Sequence, residues 1–364
     1  MPFINEVLQH NQTRNTLAQE ENRSRVNQSR YAFEPDVIAE TLRSRIVGQD
    51  HVVQSLCQQL NIVKAGLSES SRPLLVMLML GNTGVGKTEM VRLLAQCIHG
   101  DASAFCRIDM NTLSQSHYSA AITGAPPGYV GSKENTTLIN EEQVVGSASR
   151  PGIVLFDEVE KASQDVVRSL MNVFDNGHLR LASGTRELSF TNCLVFMTSN
   201  LGAEQWQRQQ VAARWRYWLG LNSDARRRAH FETALARHFD PEFLNRIDRI
   251  ELFAAIDTEH IQQIIRLEVQ QLNQQLAKKR IVLQVESDVI VYLAQKGFDP
   301  KYGARALRRS VRDELLVPLS STLLDNGALA PEITSGPVIT RKCTVSLQHH
   351  QIQCLWHGDI PQAS

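Results

Sequence analysis

One stretch constrains the fold of this chain more than any other. Gly81-Asn82-Thr83-Gly84-Val85-Gly86-Lys87-Thr88 fits the pattern of glycine, four residues, then Gly-Lys-Ser/Thr. The apolar run Leu74 to Leu80 before it reads as a buried strand. Glu89 to Ile98 after it, with Met90, Val91, Leu93, Leu94 and Ile98 in helical spacing, reads as a helix. Gly84 and Gly86 tolerate the positive backbone angles that turn N–H groups inward onto phosphate oxygens. The helix that follows adds its unpaired N-terminal amides and the positive end of its dipole. Lys87 is expected to reach the terminal phosphates, and the Thr88 hydroxyl to coordinate Mg²⁺. The expectation is a nucleotide site.

A second stretch supports it. Ile153-Val154-Leu155-Phe156 followed by Asp157-Glu158 is an apolar strand ending in two carboxylates. Such a strand delivers them to the carboxyl edge of a parallel sheet, beside phosphate and metal. Asp157 suits Mg²⁺, directly or through water, and Glu158 suits the orientation of an attacking water. Cys193 to Met197 reads as another buried strand, and it ends in Thr198-Ser199-Asn200, which would point toward the same side. Strands alternating with helices predict an α/β fold, a parallel sheet with helices on both faces.

Residues 1–33 are polar and predict a poorly ordered segment; structure is expected from 34 to 253 in the sheet domain and from 254 to 364 in a smaller α+β domain. Ile46-Val47-Gly48-Gln49 lies beside a turn just ahead of the phosphate loop, and its spacing fits adenine packing and ordinary core equally. Gly124 to Gly131 is a Gly/Pro-rich loop with Tyr129 and Val130 at its centre, and spacing leaves open whether Tyr129 tucks inward. Trp206, Trp215 and Trp218 crowd among arginines, either as a docking surface or packed on their own domain. A formal net charge of +0 argues against a protein that grips nucleic acid over a wide face. No run is long enough to span a membrane, no secretory leader is visible, and the 6 cysteines are scattered, which together predict a cytoplasmic protein.

The order of these motifs closely resembles the Clp-type AAA+ unfoldases and chaperones, in particular their second ATPase module. The resemblance runs from Arg45 to the end of the chain. It rests on Val47-Gly48-Gln49, Gly81 to Thr88, the Gly-Ala-Pro-Pro-Gly-Tyr-Val-Gly loop, Leu155 to Lys161, Met197 to Gly202, Phe243 to Asp248 and Tyr302 to Arg305. It implies an AAA+ sheet sandwiched by helices, followed by the smaller domain, and an ATPase with ATP and Mg²⁺ as ligands. By resemblance, Val47 and Gln49 would flank adenine, and Asn200 would be the sensor that orients the water. Arg246 would be an arginine finger reaching a neighbouring subunit's site, and Arg305 a second sensor. Tyr129, with Val130 beside it, would grip unfolded or misfolded polypeptide in the pore of a homo-hexamer. Leu219-Gly220-Leu221 is similar to the tripeptide by which such unfoldases dock a peptidase. The chain departs from the pattern at Asn82, where proline is usual, and at Ser132 to Thr137, where an acidic glycine-rich run is usual. Read as a single module, it is expected to lack an amino-terminal substrate domain. The reading is therefore ATP-driven protein remodelling or unfolding. Two other readings stand beside it: a non-threading, nucleotide-gated assembly factor, and a nucleic-acid motor or loader on the same core.

Overall fold

Five parallel strands carry the larger part of the molecule. The structure is a computed structural model and describes residues 29–114, 139–180, 187–212, 224–299, 303–326 and 340–360. Helices α1 (Pro35–Arg45) and α2 (Asp50–Lys64) precede strand β1 (Leu75–Leu80). After the glycine loop come α3 (Lys87–His99), β2 (Cys106–Asp109), α4 (Glu141–Val145), β3 (Gly152–Asp157) and α5 (Gln164–Asn176). An antiparallel pair, β4 (His178–Arg180) and β5 (Glu187–Ser189), leads to β6 (Cys193–Ser199). Then follow α6 (Ala203–Ala212), α7 (Asp224–His238), α8 (Pro241–Leu244) and β7 (Arg249–Leu252).

The sheet runs in the order β2-β3-β6-β1-β7 with every neighbouring pair parallel. All residues of β1, β3 and β6 are buried, because helices cover both faces. Alternate side chains divide between two cores, as a strand's period of two requires. Val76, Leu78, Val154, Phe156, Val195 and Met197 face one layer; Leu75, Met77, Ile153, Leu155, Leu194 and Phe196 face the other. Continuous apolar runs of this kind are what a two-sided parallel sheet needs.

The smaller C-terminal domain holds α9 (Thr258–Ala277), β8 (Ile281–Val285), α10 (Ser287–Gly297) and α11 (Ala304–Ser310). A π-helical turn over Val311–Leu316 joins α11 to α12 (Val317–Asp325), and β9 (Thr340–Gln348) and β10 (Gln351–Ile360) follow. Its sheet is mixed, in the order β10-β9-β8, with β9 antiparallel to β10 and parallel to β8. Ile261, Ile265, Leu283, Leu293, Leu307 and Leu315 form its core.

Several expectations need correction. Order begins ahead of residue 34: Tyr31 and Phe33 are buried, and the Ala32 amide donates to Ser149 O at 3.0 Å. Two aromatics in a polar run were enough to anchor its end. Tyr129 and Val130, Leu219, Gly220 and Leu221, and Trp215 and Trp218 lie outside the described residues. Trp206 does pack on its own domain, with its ring centroid 5.3 Å from that of His230. Among the described residues, no helix is long and apolar enough to cross a membrane.

Candidate nucleotide site

Sheet order brings three strand ends to one place. β6 lies between β1 and β3, so the exits of all three meet at the carboxyl edge: Gly81 after β1, Asp157 at the end of β3, and Asn200 after β6. The glycine loop turns back there with Gly81, Gly84 and Gly86 all at positive φ (+141°, +78° and +106°). α3 begins at Lys87 with no side-chain cap on its first turn, which leaves its leading N–H groups available to an anion. A cleft of about 270 Å³ opens over this edge.

At the polar end of the cleft, the Lys87 ammonium donates to Gly81 O (2.6 Å), Asn82 O (2.9 Å) and Asn200 Oδ1 (2.9 Å). Asn200 also donates through Nδ2 to Glu158 Oε1 (3.4 Å), and its backbone N–H is held by Glu160 Oε1 (3.0 Å). Glu158 adopts a left-handed backbone, φ 59°, which costs a non-glycine residue about 1–3 kcal/mol. The Thr198 hydroxyl receives its amide at 2.9 Å and in turn donates to Asp157 Oδ1. Thr198 thus sets both carboxylate-bearing residues from a single buried atom. Arg107, from β2, bonds Asp157 Oδ2 through Nη2 (2.6 Å) and Nε (3.1 Å).

Burial pushes the Lys87 amine down to about 8, against the pull of Glu160, Asp157 and Glu158 and with the help of the Arg305 charge. A bound phosphate stabilises the protonated amine, so the free protein loses this proton at lower pH than the complex does. Nucleotide affinity is therefore expected to fall as pH passes 8, by about tenfold between pH 7 and pH 9. Calorimetric titration across that range checks it, and a flat profile contradicts it.

The other end of the cleft is apolar. Ile46, Val47 and Val85 line it from the larger domain, and Ile256, Ile264 and Leu267 from the smaller one. The smaller domain also touches the phosphate loop directly. The Ala304 amide donates to Gly84 O at 3.1 Å. At Gly303, φ +54°, an added Cβ would lie 2.8 Å from Thr83 O. Glycine is what permits this approach. Arg305, the next residue but one, lines the cleft.

The structure thus brings together Val47, Gly84, Val85, Gly86, Lys87, Thr88, Asp157, Glu158, Asn200 and Arg305. It does not bring Gln49 to the cleft. That side chain is buried, and both ends of its amide bond the Ala254 backbone, at 3.0 and 2.8 Å. Gln49 ties the loop beside Val47 to the end of the sheet domain rather than flanking a base. Arg246 also lies away from its own chain's cleft. Its guanidinium is held by Asp175 Oδ2 (2.5 Å) and Glu242 Oε1 (2.9 Å). Thr198 belongs to the strand end expected to face this side; Arg107 and Glu160, together with the apolar wall from α9, were missed in the sequence. Only the charge of Arg107, set in a strand two residues before Asp109, signalled anything there.

Fold and cleft together define a phosphate-loop nucleotide-binding protein whose site sits at a sheet edge beneath a second domain. Residues 72–250 match the AAA domain (Cdc48 subfamily), and residues 256–334 match the C-terminal, D2-small domain, of ClpB protein. The chain belongs to the Clp-type AAA+ ATPases. It is 46% identical over 348 residues to the ATP-dependent protease ATP-binding subunit-like protein AmiB of Pseudomonas aeruginosa, across 90% of this chain and 93% of that one. It is 42% identical over 332 residues to an ATP-dependent protease ATP-binding subunit-like protein of Rhodococcus erythropolis, across 89% and 93%. Chaperone protein ClpB of Gloeobacter violaceus is 36% identical over 288 residues, across 79% of this chain but 31% of the chaperone. This chain therefore spans about a third of that relative's length. It is an ATPase, and at the level of its family one of chaperone and unfoldase type.

Proposed function

We propose that this chain assembles as a ring, most simply a homo-hexamer, and uses ATP hydrolysis to remodel or unfold polypeptides in the cytoplasm by drawing them through a central pore. The observation that carries the reading is the contact of the smaller domain with the phosphate loop, through Gly303 and Ala304. A change in the loop's ligand would shift that domain directly, and so turn phosphate chemistry into movement.

In this reading Val47, Val85 and the α9 wall receive the adenine. The loop amides of Gly84 and Gly86, with Lys87, receive the phosphates. The donor set suits Mg²⁺, which keeps several waters and takes one or two protein oxygens; here they are the Thr88 hydroxyl and the Asp157 carboxylate. Among the described residues there is no cluster of three or more His, Cys, Asp or Glu that would form an all-protein cage. When bound, the metal would draw charge from the β- and γ-phosphates. Glu158 orients the attacking water and takes up its proton, Asn200 holds Glu158 in place, and Arg305 answers phosphate charge from the smaller domain. Arg246, already outside its own cleft, acts in a neighbour's. The boundary between the two domains falls at 253/254.

Tyr129 and Val130 are the proposed grip on the polypeptide. An unfolded chain offers no fixed sequence, so the hold must rely on bulky apolar contact. Tyr129→Ala is expected to leave basal ATPase largely intact and abolish ATP-dependent unfolding of a destabilised fluorescent protein. Tyr129→Phe is expected to keep most of the unfolding, because the ring supplies the contact. Equal substrate handling with Tyr or Ala would favour a non-threading, nucleotide-gated assembly factor instead.

A further inference from the structure

Asp157 is the carboxylate that the proposed function assigns to Mg²⁺, and both of its oxygens are already engaged. Oδ1 accepts the Thr198 hydroxyl. Oδ2 accepts two N–H groups of a single guanidinium, from Arg107 Nη2 at 2.6 Å and Nε at 3.1 Å. The pair is asymmetric in exposure: the Asp157 side chain is 11% exposed, that of Arg107 51%. The carboxylate is therefore fixed, while the guanidinium sits at the cleft wall and can leave without disturbing the core. Arg107 reaches Asp157 along the sheet edge, since its own partner in the β2–β3 register is Leu155.

A static strut between β2 and β3 has no need of such a place. The two strands already pair from Cys106–Val154 to Asp109–Asp157, and a half-exposed ion pair adds little to that. A cation on the metal's own oxygen has a different consequence. Guanidinium and divalent ion repel each other strongly at contact distance, so one must move aside for the other.

We infer that Arg107 is a resident cation that alternates with Mg²⁺ on Asp157, neutralising the carboxylate against nucleotide phosphates without metal and yielding it when metal arrives with the nucleotide. The inference rests on the proposed role of Asp157. Arg107 is thereby a positioning residue: it sets how strongly nucleotide binding depends on metal.

The test is the affinity of full-length protein for a fluorescently labelled ADP, measured in EDTA and along a Mg²⁺ titration, for the wild type, Arg107→Gln and Arg107→Lys. In EDTA, Arg107→Gln leaves Asp157 to repel the phosphates, so affinity is expected to fall about threefold to tenfold. Along the titration, the same variant is expected to reach half-saturation at a Mg²⁺ concentration lower than the wild type by about the same factor. Arg107→Lys keeps the charge without the fork, so it should recover most of the metal-free affinity. Opposite movements in the two conditions are the signature. An equal loss in EDTA and Mg²⁺, or no change in either, overturns the inference while leaving the nucleotide site intact. A wild type whose nucleotide affinity is indifferent to Mg²⁺ overturns both the inference and the role proposed for Asp157.

Discussion

Glu158→Gln is expected to keep ATP bound and to lower its turnover by about a thousandfold, the scale on which removing a positioned general base acts. The exchange is nearly isosteric, so the contact from Asn200 Nδ2 to Oε1 survives. The left-handed backbone at 158, anchored by the Thr198 hydroxyl, also remains. What is lost is the group that accepts a proton from water. Binding should change little, because the contacts assigned to phosphate come from the loop and from Lys87. Nucleotide titration and single-turnover hydrolysis, run side by side, separate the two effects. Equal losses in binding and turnover would mean that Glu158 holds the nucleotide rather than the water.

Arg246→Ala should give the second large effect. An arginine supplied from a neighbour is worth about a thousandfold or more in phosphoryl transfer. Arg246 is not loose in its own chain. Asp175 and Glu242 fix its guanidinium, and Arg72 donates to its backbone carbonyl at 3.1 Å. It is therefore presented on a firm base, outside the cleft that Lys87 serves. The variant should bind ATP as the wild type does and hydrolyse it poorly. Mixing it with Lys87→Ala should restore part of the activity, because an intact Lys87 from one chain can meet an intact Arg246 from another. Mixed assemblies that form but show no recovery at any ratio would contradict a shared site.

Legibility in the sequence followed the kind of physical signal each element carries. β1, β3 and β6 are buried on both faces and so stand out as apolar runs. β7 did not stand out, because Arg249–Leu252 is an edge strand with partly exposed side chains. In the smaller domain, Ile261, Ile265, Val269, Leu272 and Leu276 form an apolar stripe of helical spacing along α9, whereas the π-helical turn and α12 carry no comparable boundary. Tyr31 and Phe33 show the limit of composition: two buried rings outweigh the polar residues around them.

The site divides in the same way. Lys87, Thr88, Asp157 and Glu158 were legible because each lies in a local motif whose spacing has a chemical reason, whereas Thr198 and Asn200 were placed only as the polar end of a buried strand, and the role of Asn200 came from the family resemblance. Arg107 and Glu160 were not legible, because they join the site only through the strand order β2-β3-β6-β1, which no short window records. Ile256, Ile264 and Leu267 reach the cleft only by the approach of the smaller domain. Gln49 illustrates a different limit. Its residue type suits a ligand contact and a backbone clamp alike, and only the 3.0 and 2.8 Å bonds to Ala254 distinguish them.

The central claim is that ATP gathers copies of this chain into a ring whose sites are completed between neighbours. The most direct measurement is the mass in solution of Glu158→Gln, which should hold ATP without consuming it, with and without saturating ATP. The account predicts an ATP-dependent shift to a closed assembly, six times the mass of the 40.9 kDa chain for a hexamer. In the wild type, ATPase activity per chain should rise with protein concentration over the same range. A single 40.9 kDa chain in saturating ATP, with a wild-type hydrolysis rate per chain that does not vary with concentration, would contradict it.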